Sequence, residues 1–421
     1  MSRKTILLAL VAAAKFSASA ANVWQVYHEN HVPTKNGAAV PGEAARSGVE
    51  QLRFAMDNAA GGDTITIAAG EYDLSGLTPI DKGDGVGASS LVCDNKSLTL
   101  EGANSAHWSQ KTEAQSTILK GTSSARIAYG YAGGGRGSVF RHLTFESGHA
   151  PTGQNGGGII FNYTGASGYA TNCIFRTCSA NAAGATYQIS ALDCFYYKNS
   201  SDERAGAALG NGNSFVKCVF VENQANGSTA GAGALRENGL KNSIDGCVFS
   251  NNVAAASKAG ALYINAVSDA SAKIKNCRFV GNEAKAEGGA VVGPADIENC
   301  IFLQNASEAQ GGAVSLPSKV SMTDCVFVGN TSETYGGAVA APWLASMIRC
   351  SFTNNQASSY CGGVCVDNIS GEFTDCSFHN NTSPGSADSA KAGSQVRNAS
   401  KMERCRFSGW GDVYVKNLIN C

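Results

Sequence analysis

Side chains that could carry out acid–base chemistry are scattered through the sequence rather than gathered in one motif. Asp193, Glu203 and Arg204 form the best cluster of charged residues, and Glu308 and Glu333 recur at one repeat spacing. A pair of carboxylates about 5–10 Å apart could hydrolyse a glycosidic bond, whereas a basic residue beside acidic groups could remove a proton from a uronic acid. Neither arrangement is complete in the sequence. We therefore name no catalytic residue and lean against an enzyme.

Cysteine and histidine spacing argues against a metal site. Structural zinc sites use clustered ligands such as Cys-x-x-Cys pairs. Most cysteines here lie about 26 residues apart, and none forms such a pair. We therefore predict no metal and no cofactor.

The fifteen cysteines fall into two groups. Ten share one sequence context and are interpreted as small, buried apolar residues. The other five are better candidates for disulfides: Cys93, Cys178, Cys361, Cys365 and Cys421. Cys361 and Cys365 flank a Gly-Gly pair, so we expect both on one turn.

The ten cysteines mark a repeat of about 26 residues. An aromatic residue follows each of them by two positions, an asparagine follows most of them by five, and a Gly-Ala step follows by about twelve. The ladder that we expect to stack consists of Cys218, Phe220, Asn223, Cys247, Phe249, Asn252, Cys277, Phe279, Asn282, Cys300, Phe302, Asn305, Cys325, Phe327, Asn330, Cys350, Phe352 and Asn355.

This repeat predicts an all-β fold, a parallel β-helix with three short strands in each coil. Cys and Phe two positions apart lie on the same face of a strand, and Asn and Gly bound each short apolar segment. Equivalent residues of successive coils then stack about 4.8 Å apart. Leucine-rich and helical solenoids are excluded, because the leucine columns and the 3.6-residue periodicity that they need are missing.

The two ends of the chain differ from the repeat. Residues 1–20 have the pattern of a secretory signal peptide, with a positive start, a short apolar run and cleavage near Ala20. Residues 21–62 are expected to form an N-terminal segment with a cap helix over 49–60, because an open β-edge needs covering. Residues 63–172 would form irregular first coils, and 173–421 the regular β-helix.

Composition excludes some functions. Lys and Arg number 32 against 33 Asp and Glu, giving a net charge of -1, and this balance disfavours a nucleic-acid partner. After the signal segment, no apolar run is long enough to span a membrane. We therefore expect a secreted or outer-surface protein without a transmembrane segment in the mature chain.

Two recurring motifs together resemble the passenger regions of chlamydial polymorphic membrane proteins. Phe-x-x-Asn occurs at Phe279–Asn282 and Phe327–Asn330, and Gly-Gly-Ala-Val at Gly288–Val291 and Gly311–Val314. The start of the mature chain resembles pectate-lyase-like β-helices. The resemblance implies a right-handed β-helix acting as a cysteine-rich adhesin. Those proteins end in a membrane β-barrel, whereas about a dozen residues follow the last repeat here, so we expect no barrel.

These observations favour an exported, non-enzymatic, adhesin-like protein that presents an elongated face to a cell-surface protein or glycan. Contacts would come from the outward loops 102–138, 146–158, 226–241 and 265–272. One alternative is a polysaccharide lyase or glycoside hydrolase of the pectate-lyase-like class, and a second is a structural matrix or coat component.

Overall fold

The computed structural model describes residues 21–83, 87–93, 96–103, 116–130, 137–161, 168–227, 230–239, 243–265, 272–383, 394–409 and 412–421. The predicted signal segment lies outside these residues, as do parts of three of the four predicted loops. In the part of the chain that the structure describes, no helix is long and apolar enough to cross a membrane.

The fold is an all-β, right-handed parallel β-helix. A regular coil contains four strands rather than the three expected. In one coil, Ser243–Asp245 lies in sheet A, Val248–Ser250 in sheet B, Val253–Ala254 in sheet C and Leu262–Ile264 in sheet D. The additional strand is the two-residue segment of sheet C, which lies between the asparagine turn and the Gly-Gly step.

Each sheet is built from equivalent strands of successive coils. Sheet A contains Val23–Val26, Thr64–Ile67, Thr99–Gly102, Val139–Arg141, Gly168–Thr171, Ile189–Leu192, Ser214–Val216, Ser243–Asp245, Ala272–Lys275, Ala295–Glu298, Val320–Thr323, Leu344–Ile348 and Leu418–Ile419. Sheet B contains Gly70–Asp73, Thr117–Lys120, Thr144–Glu146, Ile174–Arg176, Phe195–Tyr197, Val219–Val221, Val248–Ser250, Arg278–Val280, Ile301–Leu303, Val326–Val328, Ser351–Thr353, Ser377–His379 and Arg406–Ser408.

Sheets C and D complete each coil. Sheet C contains Ser179–Ala180, Ser200–Ser201, Gln224–Ala225, Val253–Ala254, Glu283–Ala284, Ala306–Ser307, Thr331–Ser332 and Gln356–Ala357. Sheet D contains Ser89–Cys93, Arg126–Gly130, Ile159–Phe161, Thr186–Tyr187, Ala208–Gly210, Leu235–Glu237, Leu262–Ile264, Val291–Val292, Val314–Ser315, Val339–Ala340 and Asp412–Val415. The longer strands Val364–Thr374 and Ser394–Glu403 pair with both sheets A and D and join them near the end of the chain.

An aromatic column fills the centre of the coil. Rings from Phe220 to Phe352 stack nearly parallel, and the centroids of Phe279 and Phe302 are 4.8 Å apart. This spacing equals the separation of neighbouring strands, so each ring covers the next and excludes water from the core.

The cysteine column lies beside the aromatic rings and is buried from Cys173 to Cys405. The backbone N–H of Cys247 donates to Sγ of Cys277 at 3.4 Å, and Cys277 N–H donates in the same way to Cys300. Cys421, which we placed outside this column, continues it, because Cys405 N–H donates to Cys421 Sγ at 3.2 Å.

The asparagine column forms a continuous ladder of buried amides at the turn between sheets B and C. Asn282 Nδ2 donates to Asn305 Oδ1 at 2.9 Å and to the carbonyl of Phe249 at 3.1 Å. The ladder ends on residues outside the repeat: Cys178 donates its N–H to Asn199, and Asn381 donates to Gln395 Oε1.

The Gly-Gly step is required by close packing between coils. A Cβ on Gly312 would lie 2.1 Å from the carbonyl oxygen of Gly337 and 2.4 Å from that of Thr331. The chain therefore turns from sheet C into sheet D with its backbone directly against the next coil, which no larger residue permits.

An N-terminal helix spans Gly48–Asn58, close to the predicted 49–60. Ser47 and Glu50 form a capping box at its start. Leu52 and Met56 are buried against the first coils. Its role as a cap for the open edge stays a prediction.

Candidate functional site

The outward side of the coil at sheet A carries charged side chains, and four of those at its turn into sheet B pair with one another between successive coils. At its turn into sheet B, Arg349 donates to both oxygens of Asp324 at 2.7 and 2.8 Å. In the next two coils, Arg404 donates in the same way to the two oxygens of Asp375, at 2.7 and 2.9 Å. Each arginine holds the pKa of its aspartate partner below the usual value. Each of these charged side chains therefore already has a partner of opposite charge, and these four positions do not present an unpaired charge for a ligand to bind.

The predicted cluster of Asp193, Glu203 and Arg204 is not brought together. Asp193 occupies the turn between sheets A and B, whereas Glu203 and Arg204 lie between sheets C and D, at another corner of the coil. Glu203 and Arg204 approach within 3.8 Å of each other, and both are exposed over nearly half of their side chains. The sequence grouping therefore does not correspond to a site.

Glu308 and Glu333 do lie on successive coils, next to sheet C. Lys285 forms an ion pair with Glu308, and the neighbouring Glu283 is also exposed. An exposed group of this kind has the character of an ordinary solvated surface.

Sheet D offers a different outward surface, made of two adjoining columns that we call the D face. Its outer column consists of the outward side chains of the strands: Tyr187, Leu209, Arg236, Tyr263, Val292, Ser315, Ala340, Cys365 and Arg397. Its wall column comes from the preceding turns: Ala182, Arg204, Gly231, Lys258, Glu287, Gln310, Tyr335 and Tyr360.

In two coils of the D face a large side chain of one column stands with a small residue of the other. Gly231 in the wall column stands in the same coil as Arg236, the largest residue of the outer column. Tyr335 stands in the same coil as the small Ala340, which is fully buried although it points outward. In other coils both residues are large, as with Lys258 and Tyr263, and eight of the seventeen residues of the D face are arginine, lysine or tyrosine.

Arg236 is the most unusual group of this face. It is only 8% exposed, and it donates to the carbonyl of Ala230 and, at 2.9 Å, to Asn238 Oδ1. Among the described residues, no carboxylate forms an ion pair with it. Burial lowers the pKa of Arg236, and the positive charge of Arg204 lowers it further. A buried cation beside a second cation is stabilised by a bound anion.

Tyr263 connects Arg236 to the next coil. The guanidinium carbon of Arg236 lies 5.3 Å from the centre of the Tyr263 ring, within cation–π range. Tyr263 Oη donates to Asn265 at 3.5 Å, and Asn265 donates to Asn238 at 3.2 Å. The two asparagines thus fix the arginine and the tyrosine relative to each other.

Lys258 and Glu287 form the next part of the D face, with Nζ and Oε1 2.6 Å apart. This hydrogen bond raises the pKa of Lys258. Burial alone would raise the pKa of Glu287, but hydrogen bonds from Lys258 and Ser315 hold it below its usual value. The lysine therefore remains charged and can attract an anion or donate a proton.

Aromatic rings and a further cation complete the face. Tyr335 and Tyr360 stack with centroids 5.1 Å apart, and Tyr335 donates to Gln310 Oε1. The Arg397 guanidinium lies 4.9 Å from the centre of the Tyr360 ring. From Arg236 to Arg397 the outer column covers six coil intervals, or about 29 Å at ~4.8 Å each.

The resulting chemistry is that of a surface for an extended anion. Arg204, Arg236, Lys258 and Arg397 provide positive charge, and Glu287 is the carboxylate that lies between them. In the described part of the chain, no group of three or more His, Cys, Asp or Glu side chains is placed to hold a metal ion. Sequence reasoning missed the D face because its columns share position but not residue type.

No protein family model matches the chain, and no curated protein matches it significantly. Solved structures similar in fold include the PL6 family alginate lyase AlyGC, with 13% identity, a TM-score of 0.41 and coverage of 80% of this chain and 51% of that one. The A-module of Azotobacter vinelandii mannuronan C-5 epimerase AlgE4 has 13% identity, a TM-score of 0.36 and coverage of 89% and 94%. Tailspike protein 3 of bacteriophage CBA120 has 11% identity, a TM-score of 0.41 and coverage of 100% of this chain and 69% of that one.

These values establish a likeness of fold alone, and the chain spans about half of the length of AlyGC. The similar structures are pectate-lyase-like β-helices, whereas the narrower resemblance to chlamydial polymorphic membrane proteins is not shown. Our expectation of a non-enzymatic adhesin was wrong on this comparison, because the similar structures are mostly alginate or polysaccharide lyases, together with an epimerase.

Proposed function

We propose that the chain binds an acidic polysaccharide along the D face and cleaves it by β-elimination. The observation that carries this proposal is Arg236, a buried cation with no ion-pair partner among the described residues and with Arg204 beside it. A uronate carboxylate would supply the missing negative charge. The proposal agrees with the lyases among the structures of similar fold, but it rests on the residues of this chain.

The roles in the reaction follow from the positions of the groups. Arg236 binds the carboxylate of the uronate residue and neutralises it, which makes the proton on the adjacent carbon 5 more acidic. That proton passes to Tyr263 Oη while the hydroxyl proton of Tyr263 passes to a water molecule, and the electron pair left on carbon 5 forms the double bond between carbons 4 and 5. The bond from carbon 4 to the glycosidic oxygen breaks, and Lys258 Nζ gives the leaving oxygen its proton.

Elimination fits the D face better than hydrolysis. Two-carboxylate hydrolysis needs an acid and a second carboxylate about 5–10 Å apart. Glu287 is the solvent-facing carboxylate among the D-face residues named above, and it is engaged by Lys258, Gln310 and Ser315. Tyr335 and Tyr360 would bind sugar rings further along the chain, because aromatic faces pack against apolar C–H surfaces.

The predicted export of the chain is consistent with this proposal, because polysaccharides of this kind are encountered outside the cell. Residues 1–20 lie outside the described part of the structure, so export rests on the sequence pattern alone. Secretion and cleavage near Ala20 are therefore part of the proposal.

The test is an elimination assay with two uronate polymers, alginate and polygalacturonate, and with dextran as the neutral control. Product is followed by the ultraviolet absorbance of the unsaturated uronate, and binding by gel retardation in the polysaccharide. We expect Arg236→Gln to lose binding and cleavage, and Tyr263→Phe and Lys258→Met to lose cleavage while retaining binding. Lys285→Met, outside the D face, is the matched control.

Two results would overturn the proposal. One is the absence of both binding and product with every uronate polymer tested. The other is full cleavage by Arg236→Gln, which would place the chemistry elsewhere on the β-helix. Circular dichroism of each variant establishes that loss of activity does not reflect loss of the fold.

A further inference from the structure

Cys365 lies in the outer column of the D face, and Cys361 follows Tyr360 of the wall column in the same turn. The backbone N–H of Gly337 donates to the carbonyl of Cys361, as that of Gly312 donates to Gly336. Cys361 therefore takes the place of Gly336, Gly311 and Gly288 in the preceding coils. Cys365 pairs with Ala340 and through it with Ser315 and Val292 in the outer column.

The backbone of Cys361 has the conformation of the glycines that it replaces. Its φ is +58°, against +68° for Gly288 and +67° for Gly336. A side chain at this position therefore points where a Cβ on Gly288 would point. That Cβ would lie 2.3 Å from Cγ2 of Val292, which is the equivalent of Cys365.

This contact sets an upper limit on the distance between the two Cβ atoms. A Cγ atom is about 1.5 Å from its own Cβ, so the two Cβ atoms at these positions are at most about 3.8 Å apart. Disulfides have Cβ–Cβ distances near 3.8 Å. Cysteines stacked in successive coils are separated by about 4.8 Å instead, which is too far for an unstrained bond.

We propose that Cys361 and Cys365 form a disulfide that closes the Cys-Gly-Gly-Val-Cys turn in the wall of the D face. Both residues are at most 1% exposed, so the bond forms while the coil is still open. A low-molecular-weight disulfide such as oxidised glutathione is the oxidant. One cysteine thiolate attacks it and releases one glutathione thiolate, and the second cysteine thiolate attacks the mixed disulfide and releases another; the two protons lost by the cysteines are taken up by the two glutathione thiolates.

The bond would fix the position of Tyr360, the ring next to Cys361 in the chain. Gly362 and Gly363, which lie between the cysteines, pack against the backbone of Thr382 and Gln395. The turn is therefore held by the next coil on one side and by the disulfide on the other. This inference is independent of the proposed elimination activity.

The experiment refolds the full chain in a glutathione redox buffer, denatures it with iodoacetamide present and maps the unreduced peptides by mass spectrometry. We expect Cys361 and Cys365 to be unmodified and linked, with the linked segment two hydrogen atoms lighter, while Cys325 is alkylated. After reduction, all three are alkylated.

Single substitutions test the pairing. Cys361→Ser should make Cys365 fully alkylated without reduction, whereas Cys325→Ser, the matched control in the buried column, should leave the link intact. Alkylation of Cys361 and Cys365 to the same extent as Cys325 in the wild-type protein refolded with oxidised glutathione would overturn the proposal. A link from either residue to another cysteine would overturn it equally.

Discussion

Replacing Asn282 by alanine tests whether the asparagine ladder holds the coils together. Its side-chain amide takes part in four hydrogen bonds: it donates to Phe249 O and Asn305 Oδ1 and accepts from the backbone N–H and the Nδ2 of Asn252. All the atoms involved are buried. Alanine removes all four bonds at once.

The magnitude follows from which partners are left without a bond. Asn252 Nδ2 keeps its bond to Phe220 O, and Asn305 Oδ1 still accepts from the Asn282 backbone at 3.0 Å. The backbone N–H of Asn252 has no other acceptor among the hydrogen bonds that the structure shows. One orphaned buried donor costs about 1–3 kcal/mol and each of the three further lost bonds about 1 kcal/mol, so we expect a loss of roughly 4–6 kcal/mol in the free energy of unfolding.

Urea unfolding followed by circular dichroism measures this loss, with Gln356→Ala as the control. Gln356 is an exposed amide on a strand of sheet C, and its truncation should change the free energy of unfolding by less than about 0.5 kcal/mol. Hydrogen exchange adds a local measurement, because the Asn252 amide should exchange faster in the variant. The Asn330 backbone N–H, which lies two coils beyond Asn282 and donates to Asn355, serves as the internal reference.

The reasoning is refuted if Asn282→Ala and Gln356→Ala unfold at the same urea concentration. In that case the aromatic column alone would carry the association of coils, and the buried amides would satisfy one another without net stabilisation. Faster exchange at Asn252 with unchanged global stability would instead show that the loss is confined to one coil, as expected when repeats interact only with their neighbours.

Three further perturbations give expected outcomes. Gly312→Ala should destabilise the chain by about 3 kcal/mol or more in urea unfolding, because its Cβ would collide with backbone oxygens, whereas Gly76→Ala, with nothing within 4 Å, should be neutral. Arg349→Gln should leave the unfolding midpoint unchanged, because its ion pair is exposed; a marked loss would contradict this. Burial raises the pKa of Glu237 well above that of an unfolded glutamate, so folding is favoured while the group is protonated. Wild-type stability should therefore fall, relative to Glu237→Gln, as pH rises from about 5 to 8, by at most about 1.4 kcal/mol per pH unit; a parallel pH profile for the two proteins would refute this.

The parts of the fold that the sequence predicts are those in which one residue type must recur. Stacking at the strand spacing places identical residue types above one another. The aromatic column could therefore be predicted from Phe279 and Phe302, each of which follows a cysteine of the repeat by two positions. Residues that join a column without sharing its motif were missed. Cys421 lacks the following aromatic residue, and Gln395 ends the asparagine ladder with a different amide.

The fourth strand of the coil was missed for a related reason. Two-residue strands such as Val253–Ala254 are too short to show alternation in the sequence. They are strands because their backbones pair with the coils on both sides, as Val253 does with Gln224 and Glu283. Their existence therefore depends on coil-to-coil contact, which a single repeat does not reveal.

The D face could not have been found by searching for a repeated residue, and the physical reason bears on function. Inward columns are constrained because each side chain stacks on its equivalent in the next coil. Outward columns carry no such constraint, so Arg236, Tyr263 and Ser315 can occupy one column without conflict. Gly231, in the wall column of the same coil as Arg236, is constrained by the preceding coil instead, because a Cβ there would lie 2.5 Å from the carbonyl oxygen of Arg204. A substitution of Gly231 should therefore disturb the fold together with anion binding, so Arg236→Gln is the variant that tests anion binding by itself.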